Sequence, residues 1–205
     1  NKTYAITGNT VQGQSVSVKI PTTGSYVYHP FGASQGKRGA ITLKSGERAY
    51  IITGSLPTVA GITVRDNFKT NRCLGYLEDK PGYRFIPRLS YKCPSPREVV
   101  GVSSLDDTCY QFVRSLRACH KPEDVRVKDG GFCLDGNCKI NSACRNFVTS
   151  NFNFQSCFNT YSRDEDFSAP EWRVYLNRTW ELWEDNRETI SLYDRAGLLV
   201  DEIKY

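Results

Sequence analysis

A chain of 205 residues buries roughly 70% of its unfolded surface when it folds, enough for one substantial domain or two smaller ones. No apolar run approaches the roughly 18 residues of a membrane helix, so any anchor is expected outside this stretch; methionine is absent even at the first position, as expected of a processed end from which a signal peptide has been removed. Net charge is +5, but residues 1–100 carry 14 Lys/Arg against 5 Asp/Glu and residues 101–205 carry 13 against 17, so the halves stand at +9 and −4; two solvated faces, a basic surface for a polyanion, and head-to-tail attraction between copies all fit this split.

From residue 1 to about 70, short apolar–polar alternations separated by Gly, Pro and Thr carry the period of strands with one buried face. Val16, Val18 and Ile20 share a side, and Pro21-Thr22-Thr23-Gly24 turns into Tyr26 and Tyr28. Gly32 to Gly39, with Lys37 and Arg38, reads as an exposed loop, and Lys44-Ser45-Gly46-Glu47 as a hairpin turn into Ala49 and Ile51. A Pro-, Tyr- and Arg-rich connector without clear period runs from Thr70 to Pro96. Beyond it, Ser103-Ser104-Leu105-Asp106-Asp107 offers a side-chain cap with acids in the first turn, and Leu105, Cys109, Phe112, Val113, Leu116 and Cys119 recur at helical spacing, predicting a helix over 104–118 that Lys121-Pro122 ends. Asn141 caps a second helix over 142–151, with Cys144, Phe147 and Val148 on one face. Strand character returns with Trp172, Val174 and Leu176, an aromatic cluster of Trp180, Leu182 and Trp183, and a hairpin turning at Asp194-Arg195-Ala196-Gly197. A change of parity near Asp201-Glu202 predicts a bulge there.

The eight cysteines, Cys73, Cys93, Cys109, Cys119, Cys133, Cys138, Cys144 and Cys157, are even in number and confined to one tract. Zinc usually takes tight C-x2-C pairs, and none is present; the closest spacing is Cys133-Leu-Asp-Gly-Asn-Cys138. Disulfides are therefore expected, and with them an oxidising compartment: extracellular, cell-surface or periplasmic. Short loops and turn chemistry favour sequential pairing, 73 with 93, 109 with 119, 133 with 138 and 144 with 157.

Catalytic signatures are sparse. The only histidines, His29 at a strand end and His120 at a helix end, lack a triad context, and no P-loop, dinucleotide fingerprint or H-E-x-x-H occurs. Asp164-Glu165-Asp166 is a solvated acidic loop or a calcium ligand set without the Gly and closing Glu of an EF-hand. Neither a metal nor a cofactor is expected. Tyr26, Tyr28 and Phe31 beside Lys37 and Arg38 are either core and turn aromatics next to a loop or a stacking, cationic surface for sugar or single-stranded nucleic acid.

The run from Glu188 to Asp201, Glu-Thr-Ile-Ser-Leu-Tyr-Asp-Arg-Ala-Gly-Leu-Leu-Val-Asp, resembles the closing hairpin of bacterial lamin-tail-like domains, immunoglobulin-like β modules of secreted and surface proteins. Gly24–Tyr28, Gly46–Ile51, Arg72–Tyr76 and Glu171–Leu176 resemble segments of secreted proteins from candidate-phylum bacteria. The resemblance implies an extracellular bacterial setting and a disulfide-linked helical insert between β regions. The expected fold class is α+β, mainly β: antiparallel, immunoglobulin-like sandwich or sheet elements with a disulfide-stapled helical insert. Its parts would be an N-terminal β region over 1–72, a disulfide-rich connector and insert over 73–160, and a lamin-tail-like β region over 161–205 that stands alone or packs on the first sheet. The expected role is a noncatalytic structural, adhesive or cell-surface interaction module, such as an appendage subunit, with a protein partner or self-assembly. A binder of extracellular DNA or acidic glycan is the alternative, and a secreted enzyme of unrecognised type the third.

Overall fold

The computed structural model describes residues 5–9, 15–30, 36–55, 58–59, 62–64, 66–78, 85–89, 93–128, 130–178, 182–183 and 188–204. Phe31 and Trp180 lie outside them. In chain order come β1 (Ala5–Asn9), β2 (Ser15–Lys19), β3 (Thr23–Val27), β4 (Lys37–Ala40), β5 (Arg48–Ile52), β6 (Thr58–Val59), β7 (Ile62–Thr63) and β8 (Phe68–Asn71). There follow α1 (Gly75–Glu78), α2 (Asp107–Ser115), β9 (Asp124–Arg126), β10 (Phe132–Leu134), α3 (Ser142–Asn151), α4 (Phe154–Tyr161), β11 (Ser168–Tyr175), β12 (Thr189–Tyr193) and β13 (Leu199–Lys204). The chain divides into two compact units, one formed by Asn1–Thr70 with Pro170–Tyr205 and the other by Asn71–Ala169.

Among the described residues the first unit holds the two-stranded β6-β7 and two larger open sheets. One is antiparallel in the order β13-β12-β1-β2; the other runs β4-β3-β8-β11-β5 and is mixed, with β3 parallel to β8 and β5 parallel to β11. This corrects the expected fold class: the chain is α+β with open sheets, not an antiparallel immunoglobulin-like sandwich. Parallel neighbours need long crossover connections, and here some 40 residues separate β3 from β8 and more than a hundred separate β5 from β11. From Glu171 to Leu176 every residue of β11 and its continuation is buried, the signature of a strand covered on both faces rather than half-exposed.

Two local expectations change with this topology. Lys44 to Glu47 does form a turn, closed by Glu47 N–H donating to Lys44 O (3.0 Å) with Gly46 at φ +81°. It is not a hairpin, because β5 leaves β4 and joins the opposite end of the sheet, pairing Ala49 with Trp172 and Ile51 with Val174. Lys37 and Arg38 lie in strand β4 rather than in a loop, with Arg38 opposite Ser25 and Gly39 opposite Gly24. Gly24 permits the close packing here: a Cβ would stand 2.7 Å from Asn67 O and 2.9 Å from the Trp172 ring. Val18, Leu176 and Leu182 form a core cluster onto which Ile20, Ile51, Trp183 and Ile190 pack.

The second unit is built on helices and disulfides. Asp106 accepts from Cys109 N–H to start α2, and Asn141 accepts from Cys144 N–H to start α3 (3.0 and 2.8 Å), as side-chain caps do. Helix α2 stops at Ser115, short of the expected 118. The turns of α2 and α3 bury Cys109, Phe112, Val113, Cys144 and Val148 in one cluster with Val102, Leu134, Ile140 and Phe152. A further helix, α4, starts at an Asn153 cap and buries Phe154, Cys157 and Phe158.

All eight cysteines are bonded, as Cys73–Cys157, Cys93–Cys119, Cys109–Cys144 and Cys133–Cys138. Of the expected sequential pairs only Cys133–Cys138 is found. Cys109 lies early in α2 and Cys119 ten residues on, a rise of about 1.5 Å per residue along the helix carrying it beyond the roughly 7 Å that a bridge spans between Cα atoms. The buried face of α2 instead presents Cys109 to Cys144 on α3. Disulfide bonding of this extent places the chain in an oxidising compartment. No helix among the described residues is long and apolar enough to cross a membrane.

Candidate interaction surface

The aromatic and basic residues expected to share a surface are separated by a bulge. The β3–β4 register shifts between Ser25 and Val27, so Tyr26 and Tyr28 do not share a face as positions i and i+2 of a regular strand would. Tyr26 packs edge-on to Trp172 (5.6 Å between centroids), donates its hydroxyl to Ala40 O (2.7 Å) and remains 37% exposed. Tyr28 is 3% exposed and stacks on Phe68 (4.3 Å), which stacks in turn on Tyr175. Arg38 is engaged: its Nε and Nη2 hold Asp66 at 2.6 and 3.0 Å, and Asp66 also accepts from Ser25 Oγ. That hydrogen bond, then the carboxylate's charge, raises the Arg38 pKa further above its ordinary value. Lys37 is exposed and has no ion-pair partner among the described residues.

Other singled-out residues have structural partners. His29 is buried just past β3. Arg72 bridges Asp164 and Asp166 (3.3 and 2.9 Å), so two carboxylates of this acidic run are paired with a guanidinium. No group of three or more metal-ligating side chains is present among the described residues. Trp172 is wholly buried and Trp183 half-buried.

Two charged arrangements had no sequence signal. His120 Nε2 lies 2.6 Å from Asp135 Oδ2, while Asp135 Oδ1 accepts Glu123 N–H (2.7 Å). The pair borders an open depression of about 350 Å³ that Ser115 and Arg117 also line; Ser115 Oγ donates to Phe112 O within its own helix. In the first unit, Arg173 and Glu171 are both fully buried, with Nη2 2.6 Å from Oε1, and the guanidinium sits 4.5 Å from the centre of the Tyr50 ring. Residues i and i+2 on a strand share a face, which is what lets this pair form.

Among the described residues, the final hairpin gathers four exposed large apolar side chains. Asp194 N–H donates to Leu198 O, Gly197 turns at φ +80°, and β13 then pairs with β12. Leu192 opposes Asp201 and Tyr193 opposes Leu199, leaving Val200 as the extra residue of a bulge, one position from where the parity change predicts it. Every residue of β13 is exposed, and Leu198, Leu199, Val200 and Ile203 show 66, 55, 52 and 60% of their surface. β13 is the terminal strand of its sheet, so one side of its backbone lacks a ladder partner within the sheet. Ile203 opposes Ile190, extending the apolar face of the sheet beyond the core residue Ile190 into solvent. The sequence reads these residues as a strand; that the strand closes no second layer becomes apparent only from the topology. Comparison with protein-family models, with curated proteins and with solved structures finds no match to this chain.

Proposed function

We propose that the chain is a noncatalytic extracellular interaction module, secreted or displayed at a cell surface, that docks a protein partner by strand addition to β13. The carrying observation is the terminal strand which, with Leu198 just before it, presents four large apolar side chains more than half exposed. Such an edge is a template for another chain, and proteins that do not use one usually shorten, cover or charge it. Covering what these four side chains still expose is worth on the order of 1 kcal/mol each, to which the edge hydrogen bonds add. Asp201 and Glu202 outweigh the single Lys204, which pairs with Glu202 (3.3 Å), so the strand is net negative and favours a partner strand carrying positive charge. The four disulfides support the oxidising setting, and the likeness of Glu188 to Asp201 to hairpins of secreted bacterial modules agrees with it. Polyanion binding is less favoured, because Arg38 is matched by Asp66 and Tyr28 is buried.

A photo-crosslinking residue at Val200, installed in the protein in its native setting, tests this reading. A discrete adduct to one protein is expected from position 200, with none from the exposed Thr42. No adduct from position 200 would overturn the docking role.

A further inference from the structure

We infer that the partner of β13 is a second copy of this chain, met head to tail at the edge strand β4; the inference rests on the reading of β13 as a docking strand. Charge is divided inside the first unit: residues 1–70 carry 8 Lys/Arg against 2 Asp/Glu, and residues 170–205 carry 5 against 8. β4 belongs to the basic segment and β13 to the acidic one, and each ends its sheet. Laid antiparallel with Leu199 against Ala40, the two strands set Val200 against Gly39, Asp201 against Arg38 and Glu202 against Lys37. Apolar residues meet small ones; Glu202, which its own Lys204 and Ser191 also engage (3.3 and 3.1 Å), meets the exposed Lys37, and Asp201 meets Arg38, which already holds Asp66.

The position of Gly39 favours this register. A Cβ there would strike the Tyr26 ring at 2.7 Å, so β4 carries no side chain beside that partly exposed aromatic. Val200 of the second copy fills the cross-strand place next to Tyr26, a pairing of aromatic and β-branched groups that sheets favour. Symmetric pairing of β13 with itself is opposed by charge, because the three best-overlapped antiparallel registers put Asp201 across from Asp201, Asp201 across from Glu202, or Glu202 across from Glu202. Because the contact joins two different surfaces, each copy keeps one strand of each kind available, and assembly proceeds to rings or open chains rather than stopping at a dimer.

Sedimentation velocity of the purified chain tests the inference through Lys37→Glu and Glu202→Lys, both at exposed positions. The unaltered chain is expected to form oligomers that grow with concentration. They should dissociate as salt shortens the screening length from about 10 Å at 0.1 M to about 3 Å at 1 M. Each variant alone is expected to associate about tenfold more weakly, and an equimolar mixture of the two to recover association, since every contact between unlike chains then joins opposite charges. A mixture that stays as weak as its components overturns the pairing of β13 with β4. A purified chain that remains monomeric while Val200 crosslinks to a different protein in the native setting overturns self-pairing and leaves the docking strand standing. A monomeric chain with no crosslink at all overturns both.

Discussion

Removing single disulfides should destabilise the second unit in the order of the loops they close. The bridges Cys73–Cys157, Cys109–Cys144, Cys93–Cys119 and Cys133–Cys138 join residues 84, 35, 26 and 5 apart. Chain entropy of the unfolded state then assigns them about 4.6, 3.8, 3.5 and 2.1 kcal/mol. The informative comparison is between the extremes: Cys73→Ala with Cys157→Ala, and Cys133→Ala with Cys138→Ala. The described α-helices all lie in the second unit and the tryptophans in the first, so helical circular dichroism during guanidinium unfolding follows the unit concerned. The first double variant should lose about twice the stability of the second, and neither should expose a thiol after denaturation without reductant. Sequential pairing predicts differently, since replacing Cys73 and Cys157 would orphan Cys93 and Cys144. Two reactive thiols in that variant, or a larger loss from the Cys133–Cys138 pair, would refute the reasoning.

Gly75→Ala should cost about 1–3 kcal/mol by overpacking and hinder one bridge, because a Cβ at Gly75 would collide with Cys119 Sγ; mass mapping should show a fraction of chains with Cys93–Cys119 open. Glu171→Ala should destabilise the first unit by about 3–5 kcal/mol, since it buries the Arg173 guanidinium without its carboxylate; tryptophan fluorescence during denaturation measures this, and a loss below 1 kcal/mol would show that the pair is not desolvated as the structure has it. In the second unit, the hydrogen bond from Arg145 lowers the Asp124 pKa, and those from Cys109 N–H and Asn141 lower that of Asp106. Carboxyls depressed in the folded state contribute stability above the ordinary value of about 3.9, and that contribution is lost as pH falls through the lower, folded value. Acid titration should therefore weaken the helical unit below about pH 4, and Asp106→Asn, which keeps a cap, should make that decline shallower; an unchanged acid profile would contradict the role assigned to Asp106.

Local order was legible where side chains close local hydrogen bonds. Asn141 announces α3 and Gly197 after Asp194 the last turn, whereas the run from Ser103 to Asp107 announces α2 but sets its start three residues early, because Asp106 proves to be the cap rather than a first-turn acid. Helix α4 carried the same kind of signal, Asn153 ahead of Phe154, Cys157 and Phe158, but only Phe152 and Asn153 separate it from α3, too short a break to mark a second start. Strand order was not legible. Ala49 and Ile51 alternate equally well in a hairpin with β4 or in parallel with Trp172 and Val174, and only the shared apolar surface decides between them. The site followed the same division: the bulge near Asp201 could be read from parity, whereas the bulge at Tyr26, which sends Tyr26 and Tyr28 to different faces, left no mark in the spacing. Arg38 appeared available until the fold brought Asp66 beside it from 28 residues away.

The central claim is that β13 gains a strand partner, and amide hydrogen exchange on the assembled protein reads that gain at the backbone. On passing from dilute chain to native assembly, the amides of β13 that point away from β12 should slow together with the outward amides of β4, while those of the exposed turn at Ser45 and Gly46 keep their rate. Unchanged exchange along β13 in an assembly that has demonstrably formed would contradict the account.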